Sequence, residues 1–442
     1  MKLNKYLLMA AMGLSLVACT ENDLVEGSDS NGVQNEGTTY VGFTLDFSKA
    51  NTKAVTTEEE GTSSEQTITK AFVLMVDDNG NIQEVVSNTD AKPGTGTNQG
   101  KQCYVFQTSA GYHWFYAVVN PDEDPEKGGK IDSYFNTAVS LQLAVITAEN
   151  NFMMSNKEAL HMLVDDNVTE DQAINGDKNS ASINIERVPA KVTMTCDDAV
   201  LKNATTGQNE GTIQSPVFYL NNSASMSYRM AQSSIKEITN NTYADATEAT
   251  DVKIKGENET DIYKLADPVY CLENIHSSYF QKNTTYINLK TTFIPSKVVN
   301  CADEKKPLKD NTPGAAATFY VVKTGDEDMV GNYILESDLT NYQNGDYTKL
   351  PAGVKTISEA YTNGECWFGP IWVGQEEATS STAPIYRNTW YNLAIRSIKL
   401  PGDPQKPEID EEGETPLIPN TNVAITLSVM PWNFINREIS LQ

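Results

Sequence analysis

The sequence is short of positive charge. Its 33 Lys and Arg face 59 Asp and Glu over 442 residues, a net charge of −26, and no basic block interrupts the acidic background. That excludes a surface built to grip phosphate backbones, so nucleic acid is set aside as a partner. Histidine is scarce: only His113, His161 and His276 occur, far apart and expected as isolated structural or surface residues. The six cysteines, Cys19, Cys103, Cys196, Cys271, Cys301 and Cys366, include no C-x-x-C pair and no Cys/His cluster, which argues against a zinc site or a dithiol redox motif. G-x-S-x-G, H-E-x-x-H, P-loop and G-x-G-x-x-G patterns are all missing. No catalytic residue, metal ligand or cofactor is therefore assigned, and an enzyme is not expected. The acidic pairs Asp77-Asp78, Asp165-Asp166 and Glu411-Glu412 stand outside any D-x-D-x-D-G loop and read as solvated turns rather than calcium ligands.

What is present is foldable. With 39% hydrophobic and 9% aromatic residues the chain is too apolar for a disordered acidic protein, and its length suits two or three domains. The first residues, MKLNKYLLMAAMGLSLVAC, carry Lys2 and Lys5, then an apolar run from Leu7 to Ala18, then Cys19. Such a run falls short of the roughly 20 residues that span a bilayer, so it reads as an export signal. Leu16-Val17-Ala18-Cys19 has the form of a bacterial lipobox, which makes Cys19 the expected site of lipidation (diacylglycerol, with palmitate as a typical acyl chain). The remaining cysteines are odd in number and read as buried thiols on strands. After Cys19 a polar acidic stretch forms a tether.

From Tyr40 the pattern becomes short alternating runs separated by Asn, Asp, Gly and Pro. In YVGFTLDF, Val41, Phe43, Leu45 and Phe47 share one face. Further strands are expected over Thr69–Val76, Gln102–Thr108, Tyr112–Val119, Ala181–Thr195, Pro216–Leu220, Ile262–Leu265, Thr285–Phe293, Thr318–Val322, Trp390–Ile398, Val423–Val429 and Phe434–Leu441, with one helical stretch from Phe135 to Glu149. The expected fold class is all-β with minor short helices, arranged as antiparallel β-sandwiches. A domain boundary is placed near Glu186–Val192. Thr239–Glu259 reads as a surface loop, and Pro401–Asn420 as a semi-stiff, Pro-rich acidic spacer. Pro431 is expected to bend the last segment into two strands. Trp114, Phe115, Tyr116, Trp367, Trp372 and Trp390 suit sandwich cores better than a sugar-stacking platform.

In their order along the chain these residues resemble the fimbrillins of type V pili, the FimA and Mfa type of lipoprotein-derived subunit. The resemblance runs through the Cys19 lipobox, YVGFTLDF, Gly111–Asn120 (GYHWFYAVVN), Asn151–Ser155 (NFMMS), the Glu186–Val192 junction, Tyr270–Asn274 (YCLEN) and Tyr386–Tyr391 (YRNTWY). It implies two transthyretin-like β-sandwiches and a division into a signal peptide (1–19), a tether with a removable first strand (20–53), an N-terminal sandwich (54–186), a C-terminal sandwich (187–400), a spacer (401–420) and a donor-strand segment (421–442). It also implies a shaft subunit of a surface fimbria. The precursor is attached transiently to the outer membrane through its lipid, loses its first strand to a surface protease, and polymerises head-to-tail with copies of itself alongside tip and anchor subunits.

Carried onto this chain, the removed strand matches Val41, Phe43, Leu45 and Phe47. The cut falls at Lys53–Ala54, with Lys49–Ala50 as the second choice. Better-known members are cut after arginine, but the first arginine here is Arg187, so a lysine-cutting or trypsin-like enzyme is required. The donor strand matches Val423, Ile425, Leu427 and Val429, or the series Ile435, Arg437, Ile439 and Leu441. Both strands completing the chain's own C-terminal sandwich is the open alternative. The other functional readings are a tip or anchor subunit, or a monomeric glycan-binding surface lipoprotein. A host or bacterial receptor is compatible with all of them, and no residue identifies one.

Overall fold

The computed structural model describes residues 38–47, 59–196, 211–232, 237, 238, 240–245, 250, 251, 253, 254, 268–300, 308–311, 316–324, 327–342, 356–375, 380–398, 400–417 and 423–433. The first part of the chain forms β1 (Thr39–Phe47), β2 (Glu59–Glu60), β3 (Ala71–Val76), β4 (Ile82–Ser87), β5 (Lys92–Pro93), β6 (Gln102–Thr108), β7 (Gly111–Val119), β8 (Val139–Ser140), β9 (Met154–Asn156), β10 (Leu160–Val164) and β11 (Ser180–Arg187). Three short helices, α1 (Ile131–Phe135), α2 (Leu143–Ile146) and α3 (Glu170–Asn175), interrupt them. One sheet runs in the order β4-β3-β7-β9-β11-β1-β6-β5, with β10 added to β7. Strands far apart in that order feed a single core: Val73 and Met75 of β3 pack in one cluster with Val41, Phe43, Tyr104, Phe106, Phe115 and Ile183. The sheet therefore curls over itself, as a sandwich must to bury the apolar face of each alternating strand.

The second part forms β12 (Ala190–Cys196), β13 (Gly211–Asn221), β14 (Ser223–Ala224), β15 (Met226–Ser227), β16 (Tyr243–Ala244), β17 (Thr250–Asp251), β18 (Lys253–Ile254), β19 (Val269–Cys271), β20 (Tyr286–Pro295), β21 (Lys297–Val299), β22 (Leu308–Asp310), β23 (Phe319–Thr324), β24 (Glu327–Leu335), β25 (Thr356–Ile357), β26 (Glu365–Trp372), β27 (Thr389–Ile398) and β28 (Val423–Asn433). A β18-β12-β27-β28-β2 sheet faces a β17-β13-β20-β26 sheet. Their inner faces meet in a core containing Val192, Met194, Leu393 and Ile395 from one side and Phe218, Leu289, Phe293 and Phe368 from the other. The protein is thus mostly β. Its sheets are mixed, because β1 runs parallel to β11 and β12 parallel to β27. Each of these pairs joins strands distant in sequence, which is the condition parallel pairing requires.

Several expectations are corrected. The helix foreseen over Phe135–Glu149 is two single-turn helices, since Val139–Ser140 between them pairs with Met226–Ser227 and this strand pairing overrides local helical spacing. The long strand over Ala181–Thr195 is split at Val188-Pro189 into β11 and β12, which belong to different sheets; proline offers no ladder N–H there. The final segment does not bend at Pro431. β28 continues through it, with Pro431 opposite Thr389. Residues 400–417 are no free spacer: Asp403 bridges to Trp367, Asp410 accepts from Gly413 N–H and Thr415, and Ile409 and Leu417 pack against Tyr286, Trp372 and Ala383. Within Thr239–Glu259, Tyr243–Ala244 pairs with Ser223–Ala224. Ile262–Leu265 and Phe434–Leu441 lie outside the described residues.

Candidate functional site

The site begins with β1. Its alternation puts Val41 and Phe43 on the core face, both 0% exposed, with Leu45 and Phe47 packed at the margin of the same cluster. The Phe43 ring lies 4.2 Å from that of Phe115, centroid to centroid, and meets Phe106 edge-on. Neither edge of β1 is free: Gly42–Phe47 pair with Ser180–Ile185 of β11, and Thr39–Phe43 pair antiparallel with Tyr104–Thr108 of β6. A strand hydrogen-bonded on both sides occupies a slot, and removing it would leave two unpaired edges and an apolar groove.

The other face of β1 sets tighter limits. A Cβ at Gly42 would stand 2.8 Å from the Ala173 carbonyl oxygen and 2.9 Å from Cys103 Sγ, so α3 and β6 close over that position as far as glycine allows. α3 is held there by a Thr169/Gln172 capping box and by Gly176 in the left-handed region at its C-terminus. Thr44 is fully buried and its Oγ1 shares a 2.7 Å hydrogen bond with Ser182 Oγ. Thr39 Oγ1 donates to the Asp165 carbonyl, and Asn179 Nδ2 donates to the Tyr40 carbonyl. At the outer end Asp46 meets Lys101 in an exposed ion pair.

The segment following residues 48–58 is fastened differently. Glu59 and Glu60 pair with Trp432 and Asn433 of β28, and Glu65 plunges between the two sandwiches. Glu65 is 1% exposed and Lys191 4%. The carboxylate is 3.0 Å from Lys191 Nζ and accepts from the Tyr270 hydroxyl at 2.7 Å, while its carbonyl accepts from Arg187 Nε. Lys191 Nζ also lies over the Trp390 ring. Burial pushes the Glu65 carboxyl up, but the Lys191 charge, the Tyr270 hydroxyl and the Thr62 N–H outweigh it and hold it below its ordinary value of 4.5. Sequence reading missed this cluster because Glu65 sits in the polar run GTSSEQT, where nothing marks a buried acid.

Other singled-out residues fall as follows. Cys19, Lys49, Ala50, Lys53, Ala54, Ile435, Arg437, Ile439 and Leu441 lie outside the described residues. Val423, Ile425, Leu427 and Val429 stand in β28 opposite Ile398, Ile395, Leu393 and Tyr391. Cys103, Cys271 and Cys366 are free and buried, each on a strand, and burial raises the Cys103 thiol to about 11 against a weaker lowering from the Phe43 backbone. Phe115, Trp367, Trp372 and Trp390 are buried; Trp114 and Tyr116 pack against the cluster under α1 and α2. His161 stands opposite Trp114 and stacks on it, His113 takes the opposite face of β7, and His276 is remote in β-sandwich loops, bonded to Tyr243 and Asn274. No group of three or more metal-ligating side chains occurs among the described residues, and none of their helices is long and apolar enough to cross a membrane.

Residues 359–438, which include β26, β27 and β28, match the family described as major fimbrial subunit protein type IV, fimbrillin, C-terminal. Over this region the chain is similar to fimbrillins. The resemblance drawn from its motifs is supported there, and the matched region contains Val423–Val429. Among solved structures, a fimbrilin (FimA) from Porphyromonas gingivalis W83 is similar with a TM-score of 0.48 at 15% identity, over 91% of this chain and 99% of that one. The C-terminally truncated tip fimbrial protein Mfa3 from Porphyromonas gingivalis is similar with a TM-score of 0.40 at 13% identity, over 89% and 100% of the two chains. No curated protein matches the chain.

Proposed function

We propose that this chain is a structural subunit of a surface fimbria, in the shaft, and that it works by assembly and not by catalysis. In this reading the precursor is exported, lipidated at Cys19 and held at the outer membrane. It is then cut by a surface protease at Lys53–Ala54, or at Lys49–Ala50, and β1 leaves. The single observation that carries the reading is the setting of β1, paired along both edges with Val41 and Phe43 in the core and joined to the remainder through residues that include Lys49 and Lys53. A strand from the next copy restores both ladders and the apolar contacts, main-chain bonds giving affinity and side-chain pockets giving register. Burying two such anchors contributes about 3–6 kcal/mol before ordering costs. Donor and acceptor surfaces differ, so the contact is heterologous and propagates as an open filament.

The buried Glu65 cluster supports a division at the cut: it ties the residues just after the loop to Arg187, Lys191 and Tyr270, so that segment has its own anchorage apart from the β1 ladders. Electron microscopy of negatively stained cells, beside a deletion strain, tests the reading. Filaments that label along their length with antibody to this chain are expected. Label at filament ends or bases would make it a tip or anchor subunit, and a diffuse coat without filaments would favour a monomeric glycan-binding lipoprotein.

A further inference from the structure

We propose that the start of β7 carries a saccharide-binding platform, on which the exposed face of Tyr112 stacks against the flat, C–H-lined face of a neutral pyranose. The inference stands apart from the strand-exchange reading, because none of its residues belongs to β1 or to the core that β1 fills.

Strand alternation builds the platform. Along β7, Phe115 and Ala117 point into the core shared with Val41 and Phe43, so Tyr112, Trp114 and Tyr116 stand on the opposite face. The inner end of that row is covered, since Trp114 and Tyr116 pack against the cluster containing Ile131, Phe135 and Leu141. The outer end is open. β3 accompanies β7 only as far as Val76, opposite Trp114, and gives Tyr112 no cross-strand neighbour. On the other side β10 sets His161 opposite Trp114 and Leu163 opposite Tyr112. Tyr112 is 61% exposed and Leu163 50%.

A tyrosine this exposed ordinarily samples several rotamers, and ordering it on a ligand costs entropy. Here the ring is already held. The Trp114 and His161 rings stack with centroids 4.0 Å apart and an interplanar angle of 15°. Tyr112 stacks on His161 at 4.9 Å and 30°, and because an imidazole has only two faces, it takes the one that Trp114 leaves. The three rings form a row, with half-buried Trp114 at its foot and Tyr112 at its open end. The outer face of Tyr112 is thus presented in a fixed orientation by two paired strands, which lowers the cost of binding.

The size of the patch selects its partner. Tyr112, Leu163 and His161 together offer roughly 300 Å² of surface, well below the about 800 Å² per partner that a stable protein interface takes. Shape narrows the choice further. A compact cation is held by rings that surround it as a cage, whereas a row of stacked rings ends in a single flat face. A pyranose has a matching face: its axial C–H bonds carry slight positive charge toward the negative face of the ring, and its hydroxyls project from the rim. An acceptor for those hydroxyls stands one residue past β10, where alternation brings the exposed Asp165 to the side of Leu163. The Asp165 backbone is pinned there, its N–H donating to Asn179 Oδ1 and its carbonyl accepting from Thr39 Oγ1. With Asp166 exposed beside it, the two carboxylates repel sialylated and sulfated sugars, which leaves neutral ones. One stacked ring with few hydrogen bonds gives millimolar affinity, of the kind that counts when many copies act together.

Saturation-transfer NMR on the purified full chain tests this, with the methyl glycosides of glucose, galactose, mannose and N-acetylglucosamine as probes at millimolar concentration. At least one should receive saturation on the C–H protons of one ring face, and methyl sialoside should receive none. Tyr112→Ala should weaken that binding by about tenfold or more, and Tyr112→Trp should keep it. His161→Ala, which removes the support behind Tyr112, should weaken it as well. Both Tyr112 variants should melt with the wild type, because the side chain is exposed. The proposal is overturned by transfer to none of the four probes, or by transfer that Tyr112→Ala leaves undiminished. A lysine- or arginine-rich peptide that binds through Tyr112 where the glycosides do not would likewise overturn it, in favour of a cationic partner.

Discussion

Glu65 shows how one side chain can join two sandwiches. Breaking a buried ion pair by removing one charge costs about 3–5 kcal/mol, so Glu65→Gln should lower the urea midpoint of the whole chain by a corresponding amount. A carboxyl held below its ordinary value in the fold lends stability that is present above pH about 4.5 and lost as the pH falls through the folded value. The gap between wild type and Glu65→Gln in urea titrations should therefore be full at pH 7 and shrink in acid; a gap independent of pH would show that the carboxylate charge is not what stabilises the joint. Gly42 makes the opposite kind of demand. Gly42→Val would drive its side chain into the Ala173 carbonyl and Cys103, an overpacking that costs about 1–3 kcal/mol or more, and thermal melts of the unprocessed chain should report it.

At the scale of elements, β1 should matter before processing and be dispensable after it. Phe43→Ala, which opens a cavity beside Phe106 and Phe115, should destabilise the precursor by about 3–5 kcal/mol. It should leave assembled filaments as resistant to heat as wild type, because the substituted strand is gone from them. Deleting 423–442, which removes both candidate donor series, should abolish filaments, by electron microscopy of sheared material. β1 was legible in the sequence because period-two alternation writes the buried face directly, and β6 and β7 were legible for the same reason. The failures share a cause: partners supplied from far along the chain. Val139–Ser140 looked helical until Met226–Ser227 paired with it, residues 400–417 looked like a spacer until Ile409 and Leu417 found an apolar patch, and Pro431 looked like a bend until β27 paired through it. Of the candidate site, the slot strand could be read locally. The tightness at Gly42 and the Glu65 cluster could not, since each depends on α3, β12 or β19 arriving from elsewhere.

For the whole molecule, removal of residues 1–53, which hold four lysines and six acidic residues, changes the net charge only from −26 to −24, and this charge repeated along a filament should keep filaments apart. Screening shortens from about 10 Å at 0.1 M salt to about 3 Å at 1 M, so light scattering of purified filaments should rise with salt as they bundle; scattering that ignores salt would mean that another surface property governs dispersal. The central claim is that the first strand leaves and a neighbour's strand replaces it. N-terminal sequencing of subunits from sheared filaments tests this most directly. The account predicts a sequence beginning at Ala54, or at Ala50 for the second bond, with Thr39–Phe47 absent; filament subunits that begin at lipidated Cys19 and retain β1 would contradict it.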